Sequence, residues 1–260
     1  MTIRRYDVIP DKPDYRDKGV FSLPRPLVLP SVVSWGNNLG KVRDQGQEGS
    51  CFSFAGVGHR EFLFRQYHQN EFGRALGEQL EFSPQYLFFK VHEEEQTLGQ
   101  DCGAQLRTTV KMLRKWGVCL DESLAYNPSQ AWIVPPVDTD EQAGIFKSGA
   151  YHRLVTVDDM RSSLASGYAF MAGIAIYSSF EADGWTLGSK IMPMPGGSDQ
   201  LQGYHAVLFF GYDDTQKVFH VRNSWGAEWC DGGNFMFPYQ AAANGDLLTD
   251  AWIQHLGKAW

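Results

Sequence analysis

The chain has few cysteines, four in 260 residues, and they are Cys51, Cys102, Cys119 and Cys230. Four thiols in a chain of this size do not make a disulfide scaffold. Cys102 and Cys119 flank a helix predicted over 104–116, whose ends lie about 20 Å apart, whereas a disulfide needs Cα atoms within about 7 Å. Cys51 also lacks a second cysteine two to four residues away, as a zinc site would require. We therefore expect four free thiols, no metal site and no cofactor.

Long apolar runs and an excess of positive charge are also missing. The longest apolar stretch, at 168–177, is far shorter than the roughly 20 residues of a membrane-spanning helix. The formal net charge is −7 and the basic residues are scattered, so no basic patch for nucleic acid is present. No apolar segment follows the arginine pair near the N-terminus, so no signal peptide is visible. We expect neither a nucleic-acid nor a membrane partner, and a protein that is cytoplasmic or exported without a cleaved signal.

Helical periodicity is absent from the first 30 residues, which hold five of the twelve prolines. Proline breaks helices because it has no N–H and because its ring clashes with the preceding turn. We interpret residues 1–28 as an extended leader and residues 29–260 as the main domain. The leader could be a short propeptide or a strap across a cleft, or it could pack on the back of a lobe.

The pattern of the main domain changes from helical periodicity to short apolar runs. The first half predicts three helices, the second with Ser83 as its N-cap and the third over 104–116. From about residue 165, glycine-punctuated apolar runs are typical of buried strands: YAFMAGIAIY, HAVLFFGY, KVFHVRNSW and NFMFPY. A helical half followed by a β half indicates an α+β fold with two lobes, about 29–125 and 126–260, and a cleft between them.

The segment QGQEGSCFSF, residues 45–54, places a lone cysteine after Gly-Ser at the start of a predicted helix. Gly46 and Gly49 allow the backbone to turn tightly ahead of Cys51. The first turn of a helix has free N–H groups and the positive end of the helix dipole, and both favour a thiolate. Cys51 is therefore a candidate nucleophile, which would need a histidine as its base.

Seven histidines are candidates for that base. Three fall on predicted helices, where we expect surface or rim positions: His59, His68 and His92. Three others have no neighbours that suggest chemistry: His152, His220 and His255. His205 starts a predicted strand whose edge could face a cleft, although periodicity alone favours a structural role for it.

The segment VRNSWGAEWC follows His205 by one predicted hairpin. Antiparallel pairing of 205–212 with 217–223 would bring Asn223 close to His205. The amide oxygen of an asparagine can accept an imidazole N–H and fix the orientation of the ring. Trp225 could then shield that hydrogen bond from water.

Three motifs in this order, Q-x5-C, G-x-H-A-V and R-N-S-W-G-x-x-W, resemble the papain-like cysteine proteases over about residues 29–240. The leader phrase IPDKPDYRD resembles the bacterial branch of that family. The resemblance implies a two-lobe α+β fold, with a helical N-terminal lobe and an antiparallel β C-terminal lobe. It also implies a thiol peptidase whose partners are peptide or protein substrates.

The resemblance assigns roles to individual residues. It makes Cys51 the nucleophile that forms a thioester, and it makes His205 the general base and acid. Asn223 would orient the imidazole, and the Gln45 side chain would stabilise the oxyanion together with the Cys51 N–H. The same resemblance places substrate contacts at Cys102, Gly103, Ala104 and Trp225.

The chain departs from the family pattern at Glu48, where a disulfide-forming cysteine is usual. The Glu48 carboxylate could favour basic substrates, but we prefer the interpretation of a solvated surface glutamate. Two other functions stay open. One is an acyltransferase or amidase that uses the same triad on another substrate, and the other is a non-catalytic binding protein with this fold. The intact set of Cys51, His205, Asn223 and Gln45 argues against a pure binding protein.

Overall fold

Helices and strands segregate along the chain in the computed structural model, which describes residues 4–17, 19, 28–68 and 80–256. The helices of the described part are α1 (Cys51–His68), α2 (Pro84–Glu95), α3 (Leu106–Lys115), α4 (Val137–Ile145), α5 (Val157–Ala165), α6 (Asp183–Leu187) and α7 (Tyr239–Ala242). The strands are β1 (Val32–Ser34), β2 (Ser148–Leu154), β3 (Phe170–Tyr177), β4 (Leu201–Asp213), β5 (Val218–Arg222), β6 (Asn234–Pro238) and β7 (Leu248–Leu256). Short 3-10 turns occupy Gly36–Asn38 and Pro128–Gln130. This architecture confirms the predicted α+β class, and none of the described helices is long and apolar enough to cross a bilayer.

Different contacts set the starts of the two helices that follow α1. Ser83 caps α2 as predicted, with its hydroxyl oxygen accepting a first-turn backbone N–H at 3.0 Å. α3 spans Leu106–Lys115 and is shorter than the predicted 104–116. The Ala104 carbonyl accepts the N–H of Ile9 at 3.1 Å, so this residue pairs with the leader ahead of the helix.

The described strands form one antiparallel sheet in the order β2-β7-β3-β4-β5-β6, with β1 also pairing with β4. β4 and β5 form the predicted hairpin, with Leu208 opposite Arg222. β4 begins at Leu201, so the prediction that His205 starts the strand was wrong. The strand is longer because its pairing with β3 continues as far as Leu201 opposite Tyr177.

Two large hydrophobic clusters support the two sides of the cleft. The sheet builds one, which includes Phe170 and Phe209, and α1, α2 and α3 build the other, which includes Phe52 and Phe88. Trp252 of β7 is fully buried in the helical cluster, so the last strand belongs to both. The lobe boundary near residue 125 stays a prediction. α1 packs against β4, and this contact carries Cys51 and His205 into one region.

Candidate active site

The segment that leads into α1 is shaped around Cys51. Gly46 has φ +68°, the left-handed conformation that the predicted tight turn requires. A Cβ at Gly49 would lie 2.6 Å from a carboxylate oxygen of Asp7, so a larger residue here would have to displace the Asp7 side chain of the leader. Cys51 is the first residue of α1 and is fully buried.

The Tyr126 hydroxyl stabilises this segment from the side. It lies 2.8 Å from the Gln45 carbonyl oxygen, 2.7 Å from a Glu48 carboxylate oxygen and 3.0 Å from the Ser50 hydroxyl. Glu48 is 8% exposed, so the preferred interpretation of a solvated surface residue was wrong. Burial raises the pKa of its carboxyl, and the hydrogen bond from Tyr126 opposes that shift. No sequence motif pointed to Tyr126, because its contacts come from a loop about 80 residues away.

The Gln45 side chain is held from both ends of its amide. Its Nε2 donates to the Glu48 carbonyl at 2.9 Å, and its Oε1 accepts the Ser224 hydroxyl at 2.6 Å. The backbone N–H of Gln45 also donates to the Ser224 carbonyl at 2.9 Å. Ser224 therefore fixes which end of the amide is the donor, and the second Nε2 hydrogen remains for another acceptor.

The structure brings His205 and Asn223 together. The distance from His205 Nε2 to Asn223 Oδ1 is 2.7 Å, and both residues are buried. The Trp225 ring lies 4.9 Å from the imidazole, centroid to centroid, and covers this hydrogen bond. Asn223 Oδ1 also accepts the backbone N–H of Ser224 at 2.8 Å, which holds its oxygen toward the histidine.

Residues 4–9 of the leader, which we call the strap, run through the cleft. The N–H of Val8 donates to the Tyr204 carbonyl at 2.9 Å, and the N–H of Tyr204 donates to the Tyr6 carbonyl at 3.3 Å. These bonds pair the strap in parallel with the start of β4. On the other side, Ile9 bonds Ala104, and a side chain at Gly103 would overlap the carbonyl of Asp7.

Strap side chains fill the cleft on both sides of the catalytic pair. Val8 is 4% exposed and packs near Gly173 and Leu106. The Tyr6 ring meets the His205 ring edge-on at 6.3 Å and lies 5.9 Å from Trp225. The candidate substrate contacts at Gly103, Ala104 and Trp225 therefore all border the strap, and Cys102 is the neighbour of Gly103 in that wall.

Burial in the cleft changes the ionisation of Cys51 and His205. Burial raises the pKa of the Cys51 thiol to about 12, and the Asp7 carboxylate adds to this effect, although N–H groups of Ala206, Asp7 and Phe52 at the sulfur oppose it. Burial lowers the pKa of His205 to about 4. The expected thiolate is therefore not favoured in this state. The helix start is present as predicted, but the loss of water outweighs its effect.

The remaining histidine and cysteine predictions have mixed outcomes. His59 and His92 are fully buried, so their expected surface or rim positions were wrong. Each has a local partner, the Ala169 carbonyl at 2.9 Å for His59 and the Thr97 hydroxyl at 2.7 Å for His92. The side chain of His68 lies outside the described residues. All four cysteines are unpaired, and no group of metal-ligating side chains occurs in the described part of the chain.

A family model described as papain family cysteine protease matches residues 29–251. An uncharacterised peptidase C1-like protein of Acanthamoeba polyphaga mimivirus is 32% identical over 247 residues, which are 90% of this chain and 74% of that protein. Cathepsin K of Gallus gallus is 25% identical over 214 residues, which are 78% of this chain and 57% of that protein.

Solved structures extend the match to the leader. Xylellain, a cysteine protease from Xylella fastidiosa, is 27% identical, covers 99% of this chain and 100% of its own, and superposes with a TM-score of 0.84. Procathepsin L 3 of Tenebrio molitor shares the fold at 19% identity and a TM-score of 0.65, over 92% of this chain and 76% of its own. The predicted family is confirmed by the family model, which matches most of the sequence, and by the structure of a bacterial cysteine protease, which covers 99% of this chain. The chain belongs to the papain family of cysteine proteases.

Proposed function

We propose that Cys51, His205, Asn223 and Gln45 carry out peptide hydrolysis in this chain, and that the strap inhibits it. The observation that carries the first part is the 2.7 Å hydrogen bond between His205 Nε2 and Asn223 Oδ1. That bond places a proton on Nε2 and leaves Nδ1 as the basic nitrogen. Nδ1 has no hydrogen-bond partner among the described residues, so it is available for proton transfer.

Each residue then has one task. His205 Nδ1 takes the thiol proton as the Cys51 sulfur attacks the peptide carbonyl, and it gives a proton to the leaving amine. The resulting thioester is hydrolysed by a water molecule that His205 activates. Gln45 Nε2 and the Cys51 N–H donate to the oxyanion, which carries negative charge only in the tetrahedral states.

The strap resists cleavage because it lies in the cleft in the reverse direction. In a substrate the acyl residues precede the scissile bond, and the leaving residues follow it on the side where His205 protonates the amine. In the strap the order is opposite, because Tyr6 lies beside His205 and the later residue Ile9 pairs with Ala104. An N–H of Asp7, and not an electrophilic carbonyl carbon, faces the Cys51 sulfur.

Inhibition also acts on proton chemistry. A neutral thiol and a neutral imidazole are the stable forms while the strap excludes water. When the strap leaves, water reaches both groups and the start of α1 favours the thiolate again. The strap therefore lowers both access to Cys51 and its reactivity.

A buried strap residue provides the test. Val8→Asp in the full-length chain should displace the strap, because Val8 is 4% exposed and a carboxylate there would lose its hydration. Hydrolysis of casein or a quenched peptide should rise by about a hundredfold or more, and alkylation of Cys51 should accelerate with it. Cys51→Ala in the Val8→Asp background should lose several orders of magnitude in rate.

Two results would reject this proposal. Turnover by the Cys51→Ala variant close to that of its parent would reject the nucleophile. Unchanged alkylation and turnover in a folded Val8→Asp variant would reject inhibition by the strap. Adding a primary amine during turnover separates a hydrolase from an acyltransferase, because only the latter would give mainly the amide product.

A further inference from the structure

We infer that the leaving-group side of the cleft is a specificity site for arginine, so that the preferred substrates carry an arginine after the scissile bond. This inference rests on the proposed peptidase function and names its substrate class. The strap shows the site occupied, because the side chain of Arg4 is bound there.

The site for Arg4 is built from four groups. The Arg4 guanidinium donates to the Asp44 carboxylate at 2.5 Å, to the Gly46 carbonyl at 3.2 Å and to the Trp225 carbonyl at 3.3 Å. The guanidinium carbon also lies over the Trp225 ring, 5.6 Å from its centroid. Only 16% of the Arg4 side chain is exposed. A planar guanidinium can satisfy all these partners together, whereas the compact ammonium of lysine cannot.

The position of this site assigns it to the leaving group. Asp44 precedes Gln45 in sequence, and Trp225 covers His205, which protonates the leaving amine. Arg4 lies two residues before Tyr6, farther from the sulfur on the same side. The chain direction of a substrate differs from that of the strap, but the charge and shape of a side-chain site do not depend on direction.

The charged side chains that meet the strap at its other residues are carboxylates as well. Arg5 pairs with the Asp101 carboxylate and donates to the Asp101 carbonyl at 3.2 Å. The Tyr6 hydroxyl donates to a Glu181 carboxylate oxygen at 2.7 Å. The charged side chains that bond the strap from the described part of the main domain are thus Asp44, Asp101 and Glu181, all of them carboxylates. Departure of the strap removes the cations that neutralise Asp44 and Asp101.

The competing explanation is a latch, that is, a set of contacts that only holds Arg4 of the strap in place. The substrate preference of the open enzyme separates a latch from a specificity site. A latch would bind Arg4 in the inhibited chain and would have no effect on the substrates of the open enzyme. A specificity site would also discriminate among substrates after the strap has left.

The experiment uses the full-length Val8→Asp chain and quenched peptides with arginine or citrulline at each of the first three leaving-side positions. Citrulline keeps the shape of arginine and removes its charge. At one of these positions we expect arginine to raise kcat/KM by about tenfold, the size of a charge-assisted and partly buried contact. Asp44→Asn should reduce this ratio to about twofold. Asparagine keeps the oxygen that accepts the Gly46 N–H at 2.9 Å.

Asp246→Asn is the matched control, since Asp246 is exposed and takes no part in the cleft contacts described above. It removes the same charge and should leave the arginine preference intact. Equal rates for arginine and citrulline at all three positions would overturn the inference while peptide hydrolysis stands. So would a preference that survives Asp44→Asn.

A binding measurement keeps the two proposals distinguishable. Fluorescence anisotropy with the Cys51→Ala, Val8→Asp chain needs no turnover. The arginine peptide could bind more tightly than the citrulline peptide while no variant that keeps Cys51 hydrolyses either peptide. That result would support the arginine site and reject peptidase activity. Equal binding of both peptides would reject the site.

Discussion

The two stretches of the leader that meet the main domain are held in different ways. The strap, residues 4–9, depends on backbone pairing and on ion pairs that keep some exposure, such as Arg5 with Asp101. The following stretch, residues 11–17, which we call the anchor, depends on buried carboxylates. Asp11 is 8% exposed and accepts the Trp252 indole N–H at 2.8 Å.

The anchor is a network and the strap is a row of separate contacts. The Asp11 carboxylate also accepts the Arg107 N–H at 3.2 Å, and the Arg107 guanidinium bonds Asp17 at 2.7 Å. Arg153 bonds both Asp17 and Asp250. Buried networks are costly to open, whereas partly exposed pairs exchange readily. The comparison suggests that the anchor keeps the leader attached while the strap opens and closes over the cleft.

A test of this comparison must first separate the opening of the strap from the turnover of substrate. Gln45→Ala does this, and its expected effect on kcat is the largest of the changes considered. In the Val8→Asp background kcat should fall by about a hundredfold, the usual effect of losing one oxyanion donor. The rate of Cys51 alkylation should stay the same, because it reports opening and not amide hydrolysis. If both rates fell together, Gln45 would be supporting the loop and not the oxyanion.

Asp11→Ala should break the anchor. It leaves the Trp252 indole N–H and the Arg107 N–H buried without their acceptor, so undocking should become about thirtyfold more frequent. Cys51 alkylation in the full-length chain measures this. Asp14→Ala is the matched control, because among the described residues the Asp14 carboxylate bonds only its neighbour Arg16 and no residue of the main domain. Equal acceleration by both variants would contradict a special role of the anchor.

The anchor should dock more tightly on the main domain as the pH falls. Burial, and then the nearby Asp250 carboxylate, raise the pKa of Asp11 to about 6 from its ordinary 3.8, against smaller opposing effects from Trp252 and Arg107. A raised carboxyl pKa means that the docked state binds the proton more tightly, so this contribution is fully present below about 4 and is lost as pH rises through 6.

Between pH 7 and pH 5, opening of the anchor should therefore fall by about tenfold. Hydrogen exchange of the Asp11 N–H, which donates to Asp250 at 2.8 Å, reports it after correction for intrinsic rates. Asp11→Asn should weaken the dependence on pH, and the Asp250 carboxyl, whose pKa burial also raises, accounts for what remains. An anchor that opens more at pH 5 than at pH 7 would contradict this sign.

Arg5→Ala should have the smallest effect. The Arg5 and Asp101 side chains are 46% and 42% exposed, so water and salt screen the pair. Alkylation of Cys51 should rise by no more than about fivefold, and the difference from the parent should shrink at high salt. An effect as large as that of Asp11→Ala would remove the distinction between strap and anchor.

Catalytic candidates were predictable because their signals are local. Cys51 after Gly-Ser, His205 in G-x-H-A-V and Asn223 in R-N-S-W-G each lie in a short motif, and one hairpin joins the last two. The N-cap of α2 was predictable for the same reason, since Ser83 bonds within its own first turn. The family motif supplied Gln45, although the bond from Ser224 that orients it crosses the cleft.

Burial was harder to predict than position. Glu48, His59 and His92 are polar residues in helices or loops, and composition assigns such residues to the surface. They are buried because Tyr126, Ala169 and Thr97 supply hydrogen bonds from elsewhere or from the next turn. A polar group can be buried when it has a partner, and sequence pattern does not show which partners will be present.

The sequence by itself determined the α+β class, the family and the place of Cys51 at a helix start, because each depends on neighbours along the chain. Only the tertiary structure decided the path and direction of residues 4–17 and the ionisation of Cys51 and His205. Pro10 and Pro13 disfavour a helix in this stretch, but Gly103, Tyr204 and Asp44 select its path. Burial favours the neutral thiol of Cys51 in this state and the Asp7 carboxylate adds to that effect, a change in solvation that no local motif encodes.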